Sequence, residues 1–183
     1  MGGSALNQSS KVAFGGIITA LCTVLMILTG FIPFGTYALP AIAGVLMVVV
    51  VLELGANWAW AIFAAVSVLA FLLAADTEAK IMFILFFGYY PILKAGIEKL
   101  RKPALCYLIK FSVFNAAMIA SFFILVYVFG VPQESYTVFN INMPFVFLAF
   151  GNAVFLLYDY AVSTLITTYL QRFHKSVSKL FHF

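Results

Sequence analysis

The chain has 183 residues, 65% of them hydrophobic and only 9% charged, with a formal net charge of +4. A soluble domain carries about 25% charged residues, so this composition excludes a body that faces water on all sides. The cations stand at the edges of apolar stretches and form no patch interleaved with aromatics, which argues against a nucleic-acid partner.

The opening residues, 1–10, read as a disordered or artificial lead, and residues 11–183 as one transmembrane domain with a short cytoplasmic tail. A membrane-crossing helix needs about 20 apolar residues. The first such stretch runs from Lys11 to Ile32 and is closed by Pro33. It carries Ala13, Gly16 and Ala20, small residues that allow another helix backbone to approach. Either a neighbouring span or another subunit would meet that face. An aromatic connector, Phe31 to Pro40, leads into the second stretch, Thr36 to Leu54. The break at Gly55-Ala56-Asn57 is short. Without it, however, about 40 unbroken residues would be twice what the bilayer requires, so the third stretch begins at Trp58 and ends near Ala75.

The fourth stretch runs from Glu78 to about Leu100 and contains Gly88-Tyr89-Tyr90-Pro91. Proline removes a backbone donor and its ring crowds the preceding turn, so this span should kink. The fifth stretch, Pro103 to Gly130, holds Lys110 and Asn115; the sixth, Met143 to about Leu170, holds Asn152 and Asp159. The sequence thus predicts an all-α integral membrane protein, a bundle of six transmembrane helices.

Lys94, Lys99, Arg101, Lys102 and Lys110 cluster around the fourth connection, and Arg172, Lys175 and Lys179 lie in the tail. The opposite connections hold Asp76, Glu78, Lys80 and Glu134. Lys and Arg favour the cytoplasmic side. Both termini are therefore expected in the cytoplasm of a plasma-membrane protein, in agreement with an even number of spans.

Glu53, Lys94, Lys110 and Asp159 are ionisable and fall within the spans, all toward that side. A charge at a helix centre costs about 2.5–3.5 kcal/mol on insertion scales. Two acids and two bases at similar depth can offset this by pairing, and an intramembrane ion-pair cluster is the expectation. A proton or ion relay is the sharper alternative for Asp159, whose short side chain cannot reach the headgroups. Asn115 and Asn152 must also find partners inside the bundle.

Catalytic signatures are missing: there is no HExxH, GxSxG, P-loop or CxxC. His174 and His182 both lie in the tail. No enzyme activity, cofactor or metal is expected.

Lys11-Val12-Ala13-Phe14-Gly15-Gly16-Ile17-Ile18-Thr19-Ala20-Leu21, the connector from Gly30 to Pro40, and Ala41-Ile42-Ala43-Gly44-Val45-Leu46 resemble the opening of the substrate-binding S components of energy-coupling-factor (ECF) transporters. The resemblance covers roughly the first quarter of the chain; beyond it the likeness is one of size, topology and composition. It implies an S-component-like fold that takes up a vitamin-like or other small molecule with an external scaffold subunit and ATPases. Ala13, Gly16 and Ala20 would then form the subunit interface, and the connector would close over the ligand. In that reading Phe34 and Tyr37 cover the ligand, Tyr89 and Tyr90 form a wall, and Asn152 supplies a hydrogen bond. Asp159, about 10 Å further along its helix, is left to structure or coupling. The alternative is a non-transporting membrane scaffold or lipid-handling protein of the same fold, with membrane lipids as its partners.

Overall fold

A computed structural model describes residues 8–32, 34–100, 102–132, 137–138, 141–142 and 144–172. Six helices in it are long and apolar enough to cross a membrane. They are α1 (Gln8–Leu28), α2 (Gly35–Glu53), α3 (Ala56–Leu73), α4 (Thr77–Ile97), α5 (Pro103–Val128) and α6 (Pro144–Arg172). Helix α1 starts at Gln8, within the segment expected to be a lead. Residues 1–7, Glu134, and the tail with Lys175, Lys179, His174 and His182 lie outside the described residues. Between α5 and α6 a two-residue antiparallel ladder pairs Thr137 with Asn142 and Val138 with Ile141, a small departure from an all-helical chain.

The helix ends follow local chemistry. Gly55, at φ 87, turns the chain between α2 and α3 in a conformation that side chains rarely adopt. Asp76 caps α4 by accepting from the Ala79 amide at 3.0 Å. The expected bend in α4 is an interruption. A π-helical turn spans Phe83–Phe87, and the α-helix resumes at Tyr90 with Pro91 in its first turn, where a missing N–H costs least.

Helix α2 is the hub. It packs against α1, α3, α4 and α6; α1 also lies on α3, and α4 on α5. One core joins α1, α2, α3 and α4 through Phe14, Cys22, Met26, Met47, Ile62 and Phe83. A second, aromatic core fills the space between α4, α5 and α6. There Phe114 stacks on Phe155 with centroids 4.7 Å apart, and Phe86 meets Phe114 edge-on at 5.2 Å. In lipid such packing supplies the cohesion that the hydrophobic effect supplies in water. The outward faces stay apolar, as Val12, Ile17, Leu72, Leu108, Leu157 and others are exposed.

Cross-links at both ends fix the helix register. At one end Thr36 Oγ1 donates to Asp76 Oδ2 at 2.8 Å, and Tyr37 bonds to Glu78. At the other, Tyr169 of α6 donates to Glu53 of α2 at 2.6 Å. This second end also carries the exposed Lys99 and Lys102 and is called the basic end.

Candidate functional site

Tyr90, Lys94 and Glu98 stand four residues apart, so one face of the helical segment after the α4 interruption presents a phenol, an ammonium and a carboxylate in a row. That face meets Lys110 of α5 and Asp159 of α6. Lys110 Nζ lies 3.0 Å from Asp159 Oδ2 and 3.1 Å from Oδ1. Lys94 bonds to Asp159 Oδ1 and also reaches the Asp159 carbonyl oxygen at 3.3 Å. Tyr90 donates to Asp159 Oδ1 at 2.5 Å. Both lysines then converge on a single oxygen, Glu98 Oε1, each at 2.8 Å. Two ammonium groups face two carboxylates, so the formal charges cancel.

Burial divides the four. The side chains of Lys94, Lys110 and Asp159 are 0%, 6% and 9% exposed, whereas that of Glu98 is 43% exposed. Lys94 sits in the last turn of α4, where the helix dipole favours a cation. Burial by itself raises the carboxyl pKa of Glu98, but hydrogen bonds from Lys110 and Lys94 outweigh it and hold it below the ordinary carboxylate range.

Glu98 lines a recess of about 330 Å³ together with Leu100, Pro103, Cys106, Tyr107 and Lys110. Cys106 Sγ donates to the Ile97 carbonyl at 3.3 Å and folds the α4–α5 turn back onto α5. Lys110 Nζ stands 5.6 Å from the Tyr107 ring centroid, within cation–π range.

Three of the four residues expected to form the ion-pair cluster, Lys94, Lys110 and Asp159, meet here. Glu53 belongs elsewhere, at the end of α2 under Tyr169, and Glu98 takes its place as the second acid. The signal in the sequence that points to Glu98 is its spacing of four from Lys94.

The residues expected around a ligand do not converge. Phe34 is 92% exposed, and Tyr37 is tied to Glu78 at the end opposite the basic one. Tyr90, about 20 Å further along α4 than Asp76, is fully buried in the charge network. Tyr89 points to the other side, stacked on Trp60 at 6.4 Å and edge-on to Phe63 at 6.0 Å. Asn152 is engaged by Asn115. The two amides exchange hydrogen bonds of 2.9 Å in both directions, and their remaining donors go to Leu148 O at 2.7 Å and Phe111 O at 2.8 Å. Consecutive residues on a helix face about 100° apart, which separates Tyr89 from Tyr90. The amide pair satisfies groups that lipid could not.

Ala13, Gly16 and Ala20 are all exposed on α1. A Cβ on Gly16 would meet no atom within 4 Å, whereas one on Gly15 would stand 3.0 Å from Ile62 Cδ1. Among the described residues no neighbouring span packs within 4 Å of that position on Gly16. Gly15 makes the internal contact.

The chain matches no known family model, no curated protein and no solved structure.

Proposed function

We propose that the protein is a non-catalytic, multi-pass membrane subunit that acts as a scaffold in contact with lipid. One observation carries this reading: Tyr90, Lys94, Lys110 and Asp159 bond to one another across α4, α5 and α6, Asn115 bonds to Asn152, and stacked aromatics fill the space between these helices. The charge distribution supports a plasma-membrane setting with both termini in the cytoplasm, the basic end inward. Native mass spectrometry of the purified chain tests the function. Retained phospholipid without a stoichiometric organic solute is the expected result. A bound solute at one copy per chain would replace the scaffold reading with that of a binding subunit.

That second reading, an S-component-like uptake subunit working with an ECF scaffold and ATPases, is favoured by one feature. Ala13, Gly16 and Ala20 form a small-residue face turned out of the bundle, suited to close approach by another membrane helix. Gly16→Leu should leave the isolated chain folded and reduce assembly with reconstituted ECF scaffold and ATPase subunits. Unchanged assembly would remove this reading.

A further inference from the structure

We propose that the recess at the end of α4 binds the anionic group of a ligand, a phosphate or a carboxylate, in exchange for the Glu98 carboxylate. The proposal deepens the lipid-contact reading by naming the chemistry of a contact, but the site stands or falls separately from it.

The argument rests on the asymmetry of the network. Lys94 and Lys110 are buried, and Asp159 beside them is also buried and held by a third donor, Tyr90. Those partners are fixed by three helices. Glu98 is the one member open to solvent, and it touches the network through a single oxygen shared by both ammonium groups. Rotating the Glu98 carboxylate outward moves no helix, and it leaves two buried ammonium groups under-compensated, a state that favours another anion in its place. What remains is two ammonium groups against one carboxylate, a net positive charge beside a recess that Lys110 lines. Charge-assisted hydrogen bonds to an incoming oxyanion are about twice as strong as neutral ones. An oxyanion there would receive the Lys110 Nζ, which lines the recess and now holds Glu98 Oε1, with the buried Lys94 charge adding to the field behind it.

The walls fit such a group attached to a less polar body. Leu100, Pro103 and the Tyr107 ring line the recess, and Lys99 and Lys102 are exposed on the adjoining turn. Its volume of about 330 Å³ is that of roughly ten waters at about 30 Å³ each, room for a phosphate and a few carbons. Both a phospholipid headgroup and a free phosphorylated or carboxylated solute carry this chemistry.

The test uses the full chain in neutral detergent, with inorganic phosphate as the probe and binding followed by ³¹P NMR. Glu98→Gln keeps the shape and removes the competing charge. It should bind phosphate at least ten-fold more tightly than the wild type. Leu100→Trp fills the recess from an exposed position and should abolish that gain when combined with Glu98→Gln. Glu98→Asp, which keeps the charge on a shorter arm, should bind with intermediate affinity and serves if Glu98→Gln fails to fold. Folded variants at position 98 with wild-type phosphate affinity, or a gain that survives Leu100→Trp, would overturn the proposal. Nanodiscs then separate the sources. If phosphatidylglycerol, but not phosphatidylcholine, raises the thermal midpoint of the wild type and not of Leu100→Trp, the ligand is a headgroup. Phosphate binding without any such lipid dependence keeps the site and assigns it to a free solute, removing the lipid contact from the proposed function.

Discussion

Gly44 of α2 approaches Phe87 of α4 so closely that a Cβ on residue 44 would stand 2.5 Å from the Phe87 carbonyl oxygen, and 2.8 Å from the Tyr158 hydroxyl of α6. Three helices meet at one hydrogen atom. Pro91 has no N–H to offer the Phe87 carbonyl four residues earlier, so this crossing lies where α4 is already interrupted. Gly44→Ala should destabilise the protein by about 1–3 kcal/mol, the usual cost of overpacking. Gly16→Ala, which meets open space, should change stability by less than about 0.5 kcal/mol. Thermal unfolding of both variants in the same detergent checks the contrast; equal midpoints would mean that the α2–α4–α6 crossing is looser than described.

Removing one partner of a buried ion pair strands the others. Asp159→Asn should cost about 3–5 kcal/mol, because Lys94 and Lys110 lose the carboxylate they share. Lys94→Met on that background should recover part of the loss, since it removes a stranded charge. A double-mutant cycle in thermal unfolding measures this, and additive losses would show that Lys94 and Asp159 do not act as a pair.

Two tyrosines with buried hydroxyls, in different helices, should behave oppositely. The Tyr90 hydroxyl donates to Asp159, whereas the Tyr158 hydroxyl has no hydrogen-bond partner among the described residues. Tyr90→Phe should destabilise by about 1–3 kcal/mol through the lost donor to a charged acceptor. Tyr158→Phe should be neutral or stabilising, as it removes an unsatisfied polar group. A drop in stability on Tyr158→Phe as large as that on Tyr90→Phe would contradict the assignment.

Asn115 and Asn152 should act as one unit. Hydrogen-bonded pairs between membrane helices are worth about 0.6 kcal/mol on average and up to about 1.7. Asn115→Ala and Asn152→Ala should therefore each destabilise modestly, and the double variant by less than their sum. Strict additivity would show that the reciprocal pair does not form.

Acid should loosen the α4–α5 turn through Glu98. Its folded pKa lies below the unfolded value of about 4.3, because Lys110 and Lys94 stabilise the carboxylate more than burial opposes it. The stability it adds is present above the unfolded value and is lost as the pH falls through the folded one. The amount is small, about 0–1 kcal/mol, because the side chain is partly exposed. Between about pH 6 and pH 3.5 the wild type should lose more of its thermal midpoint than Glu98→Gln. An equal loss would show that Glu98 contributes nothing through its charge.

Six membrane-length helices, the end of α2 at Gly55 and the interruption of α4 near Pro91 were legible in the sequence. Each depends on local facts: the length of an apolar run against the thickness of the bilayer, which also required a break near Gly55, and a proline's missing donor. The need for Lys94, Lys110 and Asp159 to find partners was legible for the same reason, because a charge in lipid is costly wherever the helices lie. Which partners they find was decided by tertiary structure. In these helices both the lipid-facing and the core-facing sides are apolar, so composition does not mark the inner face, and rotating a helix by one residue turns a different set of side chains inward. That rotation separates Gly15, packed on Ile62, from Gly16, turned outward, and Tyr90, inside the charge network, from Tyr89, stacked on Trp60. It also left Glu98, not Glu53, within reach of the two lysines. Relative rotation and register are properties of packed pairs of helices, set here by close crossings such as Gly44 on Phe87 and by cross-links such as Thr36 to Asp76. No single run of residues contains them.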